Sequence, residues 1–368
     1  MNAKKTRDRL KEKPLGRLLL RLLSLFYLLV VSLRRLFYRA GLLESRRLPV
    51  PVICFGNLSA GGTGKTSTVV AAALELKAAG RNPAVLLRGY KREAYGGKLV
   101  ILGEGAGFKP EEAGDEAVML FNMLKESGIP VLVCADRCKS GLAAIEKFGS
   151  DILLMDDGFQ FFRLKRDRNI VLVNATAPFH RDSLLPYGDL RESPSGLSRA
   201  DAVIVSHCER ASGAERLEAA AEALKLNPSL LMLESMHSPK AYLNASTMEE
   251  VPLARFRGKK VVALSGIGDP ESFEKSLTEL KAVSAHIWRY PDHHHFTRAE
   301  LSSIQATRQN MPLITTYKDF ARFPSDWRKI LGDDVYILSV EIVFPDDGLA
   351  KLMELIQSAK PAPRKRKK

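Results

Sequence analysis

Val52-Ile53-Cys54-Phe55-Gly56-Asn57-Leu58-Ser59-Ala60-Gly61-Gly62-Thr63-Gly64-Lys65-Thr66 is the stretch that sets the fold class. Its first four residues are apolar, and an apolar helical pattern follows Thr66 to about Ala79. A buried strand, a glycine-rich turn and a helix in that order form a Walker A element, with Ser59 where the consensus has its first glycine. In such an element Ser59, Ala60, Gly61, Gly62, Thr63 and Gly64 turn backbone N–H groups inward onto phosphate oxygens, and the helix N-terminus adds positive potential. Lys65 is expected at the β- and γ-phosphates of ATP and Thr66 on Mg²⁺.

Downstream, Ile152-Leu153-Leu154-Met155 is an apolar run that ends in Asp156 and Asp157. A Walker B element needs such a strand, presenting an acid to Mg²⁺ beside the phosphate loop; either aspartate satisfies the pattern. Further apolar runs at Ala84–Leu87, Val131–Cys134, Ile170–Asn174 and Ala202–Ser206 alternate with helical patterns near Asp115–Lys125, Arg137–Phe148 and Ala214–Leu226. Strands buried on both faces and separated by helices predict an α/β, doubly wound, mostly parallel sheet. A second set of strands (Val261–Ser265, Ala285–Tyr290, Leu313–Thr316, Val335–Ser339) and helices (Glu271–Leu280, Arg298–Gln309, Leu349–Gln357) predicts a smaller α/β domain. Ser238–Phe256 reads as an irregular connection, so the expected organisation is 1–47, 48–240, 241–358 and a tail at 359–368.

The length of 368 residues suits two domains, and 45% hydrophobic against 27% charged residues excludes global disorder. The net charge of +14 sits at the ends. Residues 1–47 hold 13 Lys/Arg against 3 Asp/Glu and residues 359–368 hold 6 against none, which leaves the body at −2. A main surface that grips nucleic acid would put its basic stripe across the body, so nucleic acid is not an expected partner. The tail from Arg364 is drawn to an anionic surface or serves solubility alone. Cys54, Cys134, Cys138 and Cys208 form no Cys-x-x-Cys pair and read as buried thiols. Nothing in the sequence demands an obligate protein partner.

Between Arg17 and Arg39 the longest charge-free run is Leu22–Leu33, 12 residues, where a spanning helix needs roughly 20. On a helix Arg17, Arg21, Ser24, Ser32, Arg35 and Arg39 share a stripe about 80° wide, with Leu28 the one large apolar intruder. The remaining surface is Leu, Phe, Val and Tyr. That pattern predicts a helix lying in a membrane surface with its arginines at the headgroups. Packing on the protein's own core is the alternative; a signal peptide is disfavoured by Arg34 and Arg35 directly after the apolar stretch.

Three P-loop classes compete. A guanine-nucleotide switch needs an N/T-K-x-D motif, and here Lys318 and Asp319 are adjacent. Partition-type membrane-cycling ATPases carry an extra Lys where this chain has Ala60. A small-molecule kinase fits best, and the motifs say which. Gly56-Asn57-Leu58, the Walker A element, Arg88-Gly89-Tyr90, Gly114-Asp115-Glu116, Asp136-Arg137 and Asp156-Asp157-Gly158-Phe159-Gln160 come in order. Leu184-Leu185-Pro186, Leu190-Arg191-Glu192, Gly266-Ile267-Gly268, Pro291-Asp292-His293 and Thr315-Thr316 with Lys318-Asp319 follow. Over nearly its whole length the chain resembles the tetraacyldisaccharide 4'-kinases, membrane-associated lipid A kinases of Gram-negative bacteria.

The resemblance implies transfer of the γ-phosphoryl group of ATP to the 4'-hydroxyl of a tetraacylated glucosamine disaccharide 1-phosphate, at the cytoplasmic face of the inner membrane. It implies Asp115 as the base on the acceptor hydroxyl, supported by His293, a pairing that suits general base catalysis. Arg137 and Arg191 are placed on phosphate oxygens, of ATP or of the 1-phosphate. Asn57, Tyr90 and Gln160 are placed with the acceptor. Plainer roles stand beside these: a first-turn cap for Asp115, an exposed loop for His293, and a surface ion pair with Glu192 or Asp189 for Arg191. The chain departs from the family pattern at Lys91, Phe161 (usually His), Asp182-Ser183 (usually Asn-Gly), Tyr187 (usually Ala) and Asp189 (usually Pro). These positions bear on acceptor specificity rather than on phosphoryl transfer.

Overall fold

The computed structural model describes residues 3–89, 98–103, 110–292 and 294–360. Two compact units divide the chain. The first takes Met1–Ala113, Leu120–Met236 and Val343–Lys368; the second takes Gly114–Met119 and His237–Ile342.

In chain order the first elements are α1 (Ala3–Glu12), α2 (Pro14–Arg39), β1 (Val52–Asn57), α3 (Lys65–Ala78), β2 (Pro83–Leu87) and β3 (Val100–Leu102). Next come α4 (Pro110–Ala113), α5 (Asp115–Leu124), β4 (Val131–Val133), α6 (Arg137–Phe148), β5 (Ile152–Asp156) and β6 (Arg168–Asn174). β7 (Ala202–Ser206), α7 (Gly213–Leu226) and β8 (Leu231–Glu234) complete the first sheet, whose order is β3-β4-β2-β5-β1-β6-β7-β8. All of its pairings are parallel except that of β3 with β4. Every residue of β1, β2, β5 and β7 is buried, as their unbroken apolar runs require of strands covered on both faces. β1 lies between β5 and β6, in a register that sets Phe55 opposite Asp156. The carboxyl end of β1 therefore opens beside the acid at the end of β5, which places the phosphate loop.

The second unit holds β9 (Met236–Asn244), β10 (Glu250–Val251), β11 (Lys260–Ser265), α8 (Pro270–Glu279), β12 (Val283–Arg289) and α9 (Arg298–Arg308). β13 (Leu313–Thr316), α10 (Tyr317–Phe320), α11 (Trp327–Leu331) and β14 (Val335–Val343) follow, in a sheet of order β10-β9-β14-β13-β11-β12. Two expectations change here. Ser238–Phe256 is no irregular connection: it supplies most of β9 and all of β10, anchored by fully buried Tyr242 with its ring 4.9 Å from that of Phe256. Ser238, Pro239 and Lys240 hide that strand from a reading based on apolar runs. The last helix, α12 (Gly348–Gln357), groups with the first unit rather than the second. Its Leu352, Met353 and Ile356 are buried, and Arg168 of β6 donates to the Leu355 carbonyl at 3.3 Å.

α2 is one helix of 26 residues, long and apolar enough to cross a membrane by length and composition. Only Gly16, Leu20 and Ser24 on it are buried. Tyr27, Leu28, Val31 and Arg35 are half-buried along the same side. The polar stripe is thus split: Ser24, Leu28 and Arg35 face the protein, while Arg17, Arg21, Ser32 and Arg39 stay exposed. The opposite side leaves Leu15, Leu18, Leu22, Phe26, Leu29 and Leu33 exposed, Phe26 at 65%. Burial on the protein's own core does not account for this helix.

Candidate active site at the end of the central strand

The loop after β1 is held from below. Asn57 is fully buried, and its Nδ2 donates to Thr63 Oγ1 at 3.3 Å, closing the base of the loop. Gln160 Nε2 donates to the Asn57 carbonyl at 2.9 Å and to Glu192 Oε1 at 2.8 Å. Gly61 (φ 136°) and Gly64 (φ 75°) adopt the left-handed half of backbone space, which glycine enters without the cost a Cβ would bring. A Cβ on Gly61 or Gly62 would meet nothing within 4 Å, so phosphate oxygens can approach the backbone N–H groups. α3 then starts at Lys65 with Gly64 as its N-cap.

A second support comes from residues 184–191. Ala60 N–H donates to the Asp189 carbonyl and Arg191 N–H to the Leu58 carbonyl, each at 2.7 Å, and Ser59 bridges Leu190. His207, at the end of β7, sets Nε2 3.2 Å from the Gly62 carbonyl. Neither support is legible in the residue types themselves. Position just past a strand's carboxyl end is the signal that points to His207.

The charged groups sort into two sets. Thr66 Oγ1 donates to Asp156 Oδ2 at 3.3 Å, with Asp156 only 1% exposed. A hydroxyl and a carboxylate side by side are hard oxygen donors, the set that Mg²⁺ takes. Asp157 turns away through a left-handed backbone (φ 50°). Arg191 Nη1 donates to both of its carboxylate oxygens at 2.8 Å, and Lys65 Nζ lies 3.8 Å from Oδ1. Burial pushes the Asp157 carboxyl up, but Lys65, Arg191 and Arg137 outweigh it and hold it below the ordinary carboxylate range. Arg137, 3% exposed, donates from Nη2 to the Asp157 carbonyl at 3.3 Å and lies 4.7 Å over the Phe161 ring. Burial, with the nearby charge of Arg88, brings its pKa down to about 10. Phe161, where the family usually has His, therefore carries the face of that guanidinium.

Lys65, Thr66, Asp156, Asp157, Arg137 and Arg191 are thus brought together. Asn57 is not available to an acceptor, being fully buried under the loop, and the Gln160 amide nitrogen is spent on holding the loop. Arg191 makes its ion pair with Asp157 rather than with Glu192 or Asp189. Glu192, 3% exposed, pairs instead with Arg199 at 2.8 Å. Tyr90, His293 and the side chain of Asp115 lie outside the described residues; the backbone of Asp115 opens α5 after Gly114 (φ 87°).

Setting a helix-start threonine against a buried aspartate of the neighbouring parallel strand is how P-loop proteins hold a metal and a nucleotide together, and this chain is of that class. The model of the tetraacyldisaccharide-1-P 4'-kinase family matches residues 16–357. A tetraacyldisaccharide 4'-kinase of Elusimicrobium minutum is 39% identical over 348 residues, 93% of this chain and 91% of the relative. One of Syntrophus aciditrophicus is 40% identical over 345 residues, 87% and 89% of the two chains. The crystal structure of LpxK from Aquifex aeolicus in complex with ATP matches with a TM-score of 0.73 at 30% identity, over 93% of this chain and 98% of that one. The chain belongs to the tetraacyldisaccharide 4'-kinase family and is an enzyme of the kinase class.

Proposed function

We propose that this chain moves the γ-phosphoryl group of ATP onto the 4'-hydroxyl of a tetraacylated glucosamine disaccharide 1-phosphate, a step of lipid A biosynthesis. One observation carries the reading: Lys65 and Thr66 open α3 in front of the glycine loop, with Thr66 3.3 Å from buried Asp156. Phosphoryl transfer asks the protein chiefly for positioning and charge neutralisation. The Ala60 N–H is taken by the Asp189 carbonyl, so the backbone N–H groups of residues 61–64 would receive the phosphate oxygens, and Lys65 and Arg191 would balance the charge that develops on the transferring group. Thr66 and Asp156 would hold Mg²⁺, which supplies further neutralisation at those oxygens. Asp157 keeps Lys65 and Arg191 aimed at the loop, and Arg137 stiffens the Asp157 backbone. Asp115 is the proposed base on the acceptor hydroxyl, with His293 orienting it and Tyr90 touching the acceptor.

The apolar side of α2 would enter the cytoplasmic surface of the inner membrane, where ATP and an acylated acceptor meet. Basic residues at 1–47 and 359–368 would favour anionic lipids there. The test uses γ-labelled ATP, the disaccharide 1-phosphate and phosphatidylethanolamine–phosphatidylglycerol vesicles. Label is expected in the lipid, and Asp115→Ala should remove most of it while ATP still binds. ATP consumed with no label in lipid would overturn the kinase reading in favour of a membrane-cycling ATPase.

A further inference from the structure

α1 and α2 grip residues 184–191, the same strap that holds the phosphate loop. Ser24 Oγ donates to the Leu184 carbonyl at 2.9 Å and accepts from the Tyr187 N–H at 3.0 Å. Tyr27 Oη donates to the Arg191 carbonyl at 2.8 Å. Arg7 donates to the Gly188 carbonyl at 2.8 Å and pairs with Asp189, and Lys11 and Arg21 lie 4.7 and 5.4 Å over the Tyr187 ring. On its other side the strap accepts from Ala60, donates to Leu58 and aims Arg191 at Asp157. Tyr187 and Asp189, two of the departures from the family pattern, are the side chains the basic amino-terminal arm holds.

We propose that α1 and α2 are part of the catalytic framework: Ser24 and Tyr27 are positioning residues that, through the 184–191 strap, fix Arg191 and the phosphate loop in the arrangement that transfers the phosphoryl group. The connection is short. From the Tyr27 hydroxyl one hydrogen bond reaches the backbone of the residue whose guanidinium lies on Asp157, and Asp157 is the partner of Lys65. A helix seated on a bilayer by its opposite face would then bias the geometry of the loop, so that seating and turnover are coupled. The proposal rests on Arg191 acting at the phosphate site.

Full-length protein on phosphatidylethanolamine–phosphatidylglycerol vesicles provides the test, with ADP release as the readout, so that the outcome does not depend on where the phosphoryl group ends. Tyr27→Phe removes one hydroxyl and should lower kcat about three- to tenfold, the worth of one well-placed hydrogen bond, while KM for ATP changes less than about twofold. Ser24→Ala should act alike, and Ser24→Thr should restore most of the rate. Because Tyr27 works largely through the Arg191 guanidinium, Tyr27→Phe should cost clearly less in an Arg191→Ala background. Wild-type kcat in Tyr27→Phe, or the same fold-loss in both backgrounds, overturns the proposal. Co-sedimentation separates the membrane reading: Tyr27→Phe should bind vesicles as wild type does, and Phe26→Glu should bind them about tenfold more weakly. Phe26→Glu binding as tightly as wild type sinks the membrane reading and leaves the kcat result to decide the proposal.

Discussion

α3 and α2 are both apolar helices of the first unit, and they are built on opposite logic. α3 buries Thr68, Val69, Val70, Ala72, Ala73 and Leu76. It turns its one functional surface, the N-terminus with Lys65 and Thr66, toward the phosphate loop. α2 is nearly twice as long, yet its buried residues are only Gly16, Leu20 and Ser24, small or singly apolar, while most of its Leu and Phe side chains stay outside. Exposed Leu and Phe along an entire side are costly in water, so a partner other than this chain must cover them. The first helix uses its end and the second its flank. That difference separates a structural element built for chemistry from one built for an interface.

The largest expected effect lies at the end of α3. Lys65→Ala takes away a cation aimed at the phosphates and should lower kcat about 100- to 1000-fold, the scale seen when one charge-stabilising donor is lost. The fold should survive, because Lys65 is the first residue of its helix and the residues that helix buries, Thr68 to Leu76, are left in place. A folded variant with near-wild-type kcat would remove α3 from the chemistry and with it one half of the comparison.

The flank of α2 comes next. Phe26→Glu with Leu29→Glu would keep two apolar side chains, at about 1.5 kcal/mol each, out of a bilayer and should weaken vesicle binding about 100-fold. Thermal stability in solution should hardly move, since both residues are exposed on the protein. A large drop in Tm would mean that this face is covered by the protein itself, and the contrast with α3 would collapse.

What was legible follows from the same contrast. β1, β5 and β7 are readable because burial on both faces makes each an apolar run with its single polar residue, Asn57, Asp156 or Ser206, at the carboxyl end. The phosphate loop was readable because its backbone demands glycine at Gly61 and Gly64. The split of the α2 stripe is only half legible: the pattern gives the polar side, but not that Ser24 and Leu28 turn to the protein while Arg17 and Arg39 stay exposed. The strap at 184–191 holds the loop through backbone N–H and carbonyl groups, which any residue type offers, so its residue types carry no sign of that contact. α12 reads clearly as a helix, yet its period names no partner, and the packing that joins it to the first unit is not legible in it.

The smallest expected effect tests why α3 can begin with a lysine at all. A cation in the first helical turn meets the positive end of the helix dipole, and no acidic residue of that turn offsets it. Asp157 supplies the offset from outside the helix, with Lys65 Nζ at 3.8 Å and Arg191 at 2.8 Å. Because these charges outweigh burial and hold the folded Asp157 carboxyl below its ordinary value, its share of stability is fully present above the ordinary carboxylate pKa of about 3.9. It is lost only as the pH falls through the lower folded value. Asp157→Asn should therefore destabilise the protein by a modest amount, trimmed because the side chain is 40% exposed, and that deficit should stay constant from pH 8 to about pH 5. Denaturant titrations of both proteins across this range measure it. A deficit that grows as the pH falls from 7 to 5 would place the folded Asp157 pKa above the ordinary range. The two cations would then be too weakly coupled to it to hold the start of α3 ready for a phosphate.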